Sequence, residues 1–260
     1  MTRAAAWLRP VAQLLFPPLC PVNGEPVSVP GTLSAEGWAR LQFLAPPGCA
    51  LCGAPFELPQ PPGALCVTCT APKGYDRALC APGRLDGLRA AVVYDDASAA
   101  LVLALKYSDR HDIAPALGRL MVPAFRLLEA PPGAVLAPVP LHRRRLRERR
   151  FNQASLLAQA VGRETANVFH GTLLQRIKAT PRQKGLSVSG RFRNIAGAFQ
   201  ATDDARGRDV VLVDDVLTSG ATLVGCARAL RKAGAKSVRA VTFARVFPET
   251  KETQVRNDEF

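Results

Sequence analysis

Apolar and polar positions follow two regimes along this chain. As far as residue 80 there is no sustained period, and Pro and Gly interrupt the pattern, with Pro-Pro-Gly at 46–48 and again at 61–63. From residue 83 onward, short apolar runs alternate with longer stretches of helical spacing. The segment LRAAVVYDD (88–96) predicts a strand and SAALVLALKY (98–107) a helix. A second helix is expected over 112–129, bent or broken at Pro115 or Pro123, where the ring removes a backbone donor. AVLAPVP (134–140) predicts a buried strand and FNQASLLAQAVGRET (151–165) an amphipathic helix. DVVLVDD (209–215) is a continuous apolar strand ending in two acids, 221–235 a helix closed by Gly234, and 237–246 a last strand. Strands alternating with helices predict an α/β fold: a parallel sheet flanked by helices, with its site at the carboxyl ends of the strands.

This pattern divides the chain into an N-terminal segment (1–80), an α/β domain (83–248) and a polar tail (249–260). The opening MTRAAAWLRPVAQLLF is basic and apolar, but Arg9 and Pro10 interrupt it and no small-x-small cleavage site follows, so a short amphipathic helix is expected rather than a secretory signal. A cytoplasmic protein is expected, and no apolar run reaches the ~18 residues of a membrane span.

Composition changes the picture only through charge. Apolar residues make up 48% and charged residues 21% of the 260, which is ordinary for a globular protein and excludes whole-chain disorder. The net charge of +13 is not ordinary. Residues 143–193 hold thirteen basic and two acidic residues, so nearly the whole excess lies in one stretch. Such concentration points to a polyanionic ligand: phosphate esters, nucleic acid or an anionic membrane face.

Cysteine is biased the other way, with six of seven in the first 80 residues. Cys49-Ala-Leu-Cys52 and Cys66-Val-Thr-Cys69 form two C-x-x-C knuckles. Each turns two thiolates toward one point, and together they make a tetrahedral four-sulfur site suited to a structural zinc ion. Disulfides are the competing reading. Four thiolates leave no open position for catalysis. Cys20 and Cys80 stand alone, and Cys226 falls in an apolar helical pattern.

The stretch VVLVDDVLTSGATL (210–223) carries the most chemistry. A buried strand delivers Asp214 and Asp215 to its carboxyl end, and a short loop then enters a helix. Thr218, Ser219 and Thr222 supply hydroxyls, while Gly220 and Ala221 let backbone N–H groups approach a phosphate. The two acids would repel that phosphate, but they suit vicinal sugar hydroxyls. The whole reads as a cradle for a ribose 5-phosphate. A helix-capping turn behind two strand-end acids is the plainer alternative.

This stretch resembles the 5-phosphoribosyl-1-pyrophosphate (PRPP) motif of type I phosphoribosyltransferases. ALKYSDR (104–110), PVPLHRRRLRERRFNQA (138–154) and TPRQKGLSVSGRFRNIAGAF (180–199) precede it, and a Cys-knuckle segment precedes them. In that order they resemble the ComF-type, competence-associated phosphoribosyltransferase-like family, whose members carry a double zinc ribbon. Two departures stand out. Asn23, Ser34 and Gly37 occupy places where further cysteines are usual, so the first metal site looks lost. Arg150 stands where the family usually has Gly, so the turn there is expected to differ.

The resemblance implies a glycosyl transfer through an oxocarbenium-like ribose, with pyrophosphate leaving and Mg2+ accompanying PRPP. It gives Asp214 and Asp215 the catalytic role. Leu141, His142 and Arg143 then follow the first strand of the site as the pyrophosphate loop, and Lys106 faces the same region. The basic segment 178–195 is expected to act as a hood, with Gln183, Arg191 and Asn194 as its polar contacts. Thr218 stands where hypoxanthine–guanine-type enzymes usually have an acidic base, which argues against a 6-oxopurine acceptor. A second function class remains: a non-catalytic protein of DNA uptake that binds single-stranded DNA or docks a partner through the basic stretch. Aromatics make up only 6% of the chain, with Phe151 and Phe192 among the few in the basic stretch, so stacking platforms are scarce there.

Overall fold

The computed structural model describes residues 17–70, 85–107, 110–178, 190 and 193–247. The expected N-terminal helix, the 249–260 tail, Cys80, Gln183 and Arg191 lie outside the described residues.

Residues 17–70 contain one loop design twice. Leu19 bridges Pro26, and Gly48 bridges Pro55, each antiparallel. In the first loop Cys20 N–H donates to Glu25 O and Gly24 N–H to Cys20 O; in the second Cys49 N–H donates to Ala54 O and Gly53 N–H to Cys49 O. Gly24 and Gly53 hold the same left-handed turn, with φ of 75° and 66°. A short helix answers each loop: α1 (Ala35–Ala39) in the first half and α2 (Val67–Thr70) in the second.

Beyond it, β1 (Gly87–Val93) and α3 (Asp96–Tyr107) precede α4 (Ala114–Arg126), and β2 (Val135–Pro138) follows. Pro115 sits in the first turn of α4 and Pro123 near its end, so the helix runs unbroken through both. Next come α5 (Arg143–Arg149), α6 (Gln153–Thr165), β3 (Leu174–Arg176) and β4 (Phe199–Ala201). The chain then forms β5 (Asp209–Leu217), α7 (Ala221–Lys232) and β6 (Ser237–Arg245).

Four strands pair in parallel in the order β1-β6-β5-β2. Val210 and Leu212 of β5 face one core, Val211 and Val213 the other. A strand buried on both faces needs a continuous apolar run. One face is covered by α3, α4 and α6. The other is covered by α7, the antiparallel β3–β4 pair and the second ribbon loop, whose Cys49 and Cys52 share a core with Leu88, Leu212 and Ala240. Residues 42–44 and 168–170 hydrogen-bond along the outer edges of β1 and β2 and cap the sheet.

Arg143, expected in the pyrophosphate loop with Leu141 and His142, opens helix α5 instead. Two local bonds create it: His142 Nδ1 accepts from Arg144 N–H at 3.2 Å, and Arg144 pairs with Glu148 one turn on at 3.1 Å. Arg150 ends this helix with φ 63°. The left-handed turn is therefore kept at Arg150, although a glycine would hold it without strain.

Candidate functional site

The sulfurs of Cys49, Cys52, Cys66 and Cys69 all lie within 4.8 Å of one another. Those of Cys52 and Cys66 are 3.7 Å apart. Thiolates at about 2.3 Å from one zinc ion stand about 3.8 Å apart, so the donor set fits a closed tetrahedral site. None of the described cysteines is in a disulfide. Burial pushes the Cys66 thiol up, and the neighbouring Cys52 adds to it; a divalent cation reverses that repulsion.

The first loop does not fit a metal. Where a second, third and fourth ligand would stand, Asn23 Oδ1 accepts from Glu25 N–H and from the Ser34 hydroxyl, and Ser34 Oγ accepts from Gly37 N–H. A Cβ built on Gly37 would come within 2.6 Å of the Cys20 sulfur. Hydrogen bonds hold this half together in place of an ion, and the four-thiol set is the one such cluster among the described residues.

The strand expected to end at the two acids runs on to Leu217, and near its carboxyl end Asp214 and Asp215 open onto a cavity of about 160 Å3. Lys106, at the end of α3, reaches Asp215 Oδ2 at 2.9 Å. Asp215 N–H donates to Asp214 Oδ1 at 2.9 Å, which locks the relative orientation of the two acids. Asp214 is accessible through the cavity but enclosed by protein on its other sides, and burial pushes its carboxyl up to about 8, with the charge of Asp215 adding to the effect. The chain then turns at Gly220, φ 69°, into α7. Among the described residues no side chain caps the first turn of α7, so its N–H groups stay available. Ser219 is buried and its hydroxyl has no partner among the described residues, Thr218 is exposed, and Thr222 lines the cavity.

Asn152 caps α6 through Ala154 N–H and donates to Val139 O, which ties the β2 loop to the helix. The other walls are basic. Arg145 and Arg149, one turn apart on α5, line the cavity with Gln153 and Arg176. Burial holds the Arg176 guanidinium below its usual range, the nearby Arg145 adds to that, and its face rests 5.4 Å from the Phe199 ring centre. Pro140, Leu141, Asn152 and Arg176 also line an adjoining cavity of about 780 Å3, shared with His142, Arg143 and Gln175. The fold thus brings Lys106, Leu141, Asp214, Asp215 and Thr222 to one cavity and sets His142 and Arg143 on its neighbour. Asn194 lines neither.

Sequence reasoning missed Arg176 and did not separate Arg145 and Arg149 from their neighbours. A helical reading of 143–149 would have put those two on one face. Arg176 lies in a three-residue strand, too short for any period to mark it.

A family model described as "Phosphoribosyl transferase domain" matches residues 156–258, and one described as "Double zinc ribbon domain" matches residues 11–70. The DNA utilization protein YhgH of Salmonella typhi is 33% identical over 184 residues, spanning 67% of this chain and 81% of that protein. Its counterpart from Escherichia coli K12 has the same identity and spans. Competence protein F of Haemophilus influenzae is 33% identical over 153 residues, 56% of this chain and 66% of its own. Among the described residues no helix is long and apolar enough to cross a membrane.

Proposed function

Because the chain belongs to the ComF-type phosphoribosyltransferase-like family, with a double zinc ribbon before the transferase domain, we propose that it binds PRPP, or another ligand with a ribose 5-phosphate, in the β5–α7 cradle and transfers the phosphoribosyl group to an acceptor with release of pyrophosphate. One observation carries this reading. Two acids at a strand end, oriented by Lys106 and by each other, stand beside an uncapped helix start that holds the unpartnered Ser219 hydroxyl.

Each part has a role in that reaction. The first-turn N–H groups of α7, with Thr218, Ser219 and Thr222, bind the 5-phosphate. Asp214 and Asp215 accept hydrogen bonds from the ribose hydroxyls, and Lys106 keeps Asp215 in place. Arg145, Arg149 and Arg176 take up charge as the diphosphate departs, while Val139, Pro140 and Leu141 keep water from the ribose cation. The hard oxygens of Asp214 and Asp215 would also suit Mg2+, which would neutralise charge on the diphosphate. The thiols needed for zinc fit a cytoplasmic setting.

The test is a calorimetric titration of PRPP with and without Mg2+, followed by an acceptor screen. Binding that vanishes on combining Asp214→Ala with Asp215→Ala, in a protein of native circular dichroism, supports the cradle; unchanged affinity sinks it.

A second reading rests on the outer face of α5. Arg143, Arg144, Arg147 and Arg150 are exposed, whereas Arg145 and Arg149 turn inward. That row suits the backbone of single-stranded DNA, in keeping with a role in DNA uptake. Replacing Arg144, Arg147 and Arg150 would then flatten the salt dependence of DNA binding by roughly 0.7 per lost contact. A wild-type protein that binds no DNA at low salt would end this reading.

A further inference from the structure

A buried arginine hydrogen-bonds the four-thiol site from the strand end beside the 218–222 loop. Arg245, the last residue of β6, is 7% exposed. Its guanidinium donates to the Cys52 carbonyl at 2.6 Å and to the Cys52 sulfur at 3.8 Å. Among the described residues no carboxylate pairs with it. The guanidinium also lies over the Phe247 ring, 4.8 Å from its centre, but a buried cation still needs an anionic neighbour. The group it reaches is the four-thiolate cluster, which carries two net negative charges when it holds zinc. The main chain of Arg245 looks the other way. It is in register with Leu217, and Val246 N–H donates to Leu217 O at 2.9 Å, at the point where β5 releases the 218–222 loop. Leu217, Ala221, Cys49 and Cys52 also belong to one buried cluster.

The clamp has a second arm, which holds the knuckle to the sheet away from the loop. Arg89 of β1 donates to Leu51 O at 3.2 Å and to Ala50 O at 2.8 Å, and Leu88 N–H donates to Leu51 O at 2.9 Å. Arg89 fastens the ribbon, whereas among the described residues Arg245 is the side chain whose hydrogen bonds join a zinc ligand to the strand ends that shape the cradle.

We propose that Arg245 is a positioning residue that makes the order of the 217–222 loop depend on zinc occupancy, so that the ribbon sets affinity for the sugar phosphate. The proposal rests on the cradle reading above only for its consequence for ligand affinity. The contact with Cys52 and the coupling to the loop stand apart from it. Groups that support metal ligands typically change metal affinity 10–100-fold when removed, and coupling between two sites acts in both directions.

The experiment follows amide hydrogen exchange, zinc release to a chromogenic chelator, and ribose 5-phosphate titration in the full-length protein. Removing zinc from wild type should speed exchange over 217–222 at least tenfold more than over β2 and α6. Arg245→Met, loaded with one zinc, should show the same local acceleration and release zinc at least tenfold faster. Stripping its zinc should then add nothing further, because both perturbations cut the same link. Should Arg245→Met fail to fold, Arg245→Gln keeps a donor for the Cys52 carbonyl and carries the test, and Arg245→Lys should restore zinc retention in part. Loop exchange indifferent to zinc, additive effects of the two perturbations, or equal acceleration across β2 and α6 would each overturn the proposal. A wild type that binds no ribose 5-phosphate but shows zinc-dependent loop exchange refutes the cradle and keeps the coupling. Equal affinity with and without zinc refutes the coupling and keeps the cradle.

Discussion

Replacing Asp214 with asparagine should stabilise the ligand-free protein while it weakens the site. The carboxyl of Asp214 is pushed from 3.8 to about 8, first by burial and then by Asp215. At pH 7 the folded protein therefore holds a proton that the unfolded chain has released. That is roughly three pH units at about 1.4 kcal/mol each, or about 4 kcal/mol lost from stability. An asparagine at this position would remove this cost and still accept from Asp215 N–H through its side-chain oxygen. Its amide must find partners in a site shaped for a carboxyl, which returns about 1–2 kcal/mol. The net expectation at pH 7 is about 2–3 kcal/mol, a rise in Tm of roughly 5–10 °C for a chain of this size.

The pH course follows from the sign of the shift. Because the folded-state value is raised, the contribution of Asp214 is full below pH 3.8 and is lost as pH rises through about 8. The Tm advantage of Asp214→Asn should thus be small near pH 4, grow up to pH 8 and stay level above it. The same variant should bind ribose 5-phosphate about 10-fold more weakly, since an amide offers one acceptor oxygen where the carboxyl can give up its proton and accept with both. Thermal unfolding from pH 4 to 9 by circular dichroism, paired with calorimetry, measures both. A Tm difference that ignores pH, or a variant less stable at every pH, would refute the burial argument.

Three further outcomes are expected. Metal analysis should find about one zinc per chain and not two, and Cys49→Ser should lower the melting temperature of the whole sheet, because Cys49 packs in the core that holds Leu212 and Ala240; a sheet that melts unchanged would show the ribbon to be an appendage. Arg150→Gly should raise stability by about 1 kcal/mol in a denaturant titration, since it relieves a left-handed residue; a loss would mean that the arginine side chain outweighs the strain. Arg145→Ala with Arg149→Ala should weaken PRPP far more than ribose 5-phosphate, because only PRPP carries the second anion, and Arg143→Ala should do so less; equal losses for both ligands would assign these arginines to the 5-phosphate.

Much of the fold was legible in the chain. The continuous apolar run of β5 announced a strand buried on both faces, and the two acids near its carboxyl end were legible as residues that the strand delivers to one edge of the sheet, where they open onto a cavity. The C-x-x-C spacing announced the metal, because a tight turn fixes two sulfurs without help from the rest of the protein. These are local properties, and local sequence determines them. Other features depended on pairings between distant segments. Lys106 meets Asp215 across 109 positions of chain, and Arg245 meets Cys52 across 193. Arg176 joins the site from a three-residue strand, and Asn23 and Ser34 replace metal ligands by bonding to each other. No periodicity encodes such contacts. They exist only once the sheet has closed and burial has made each unpaired charge or hydroxyl costly enough to demand a partner.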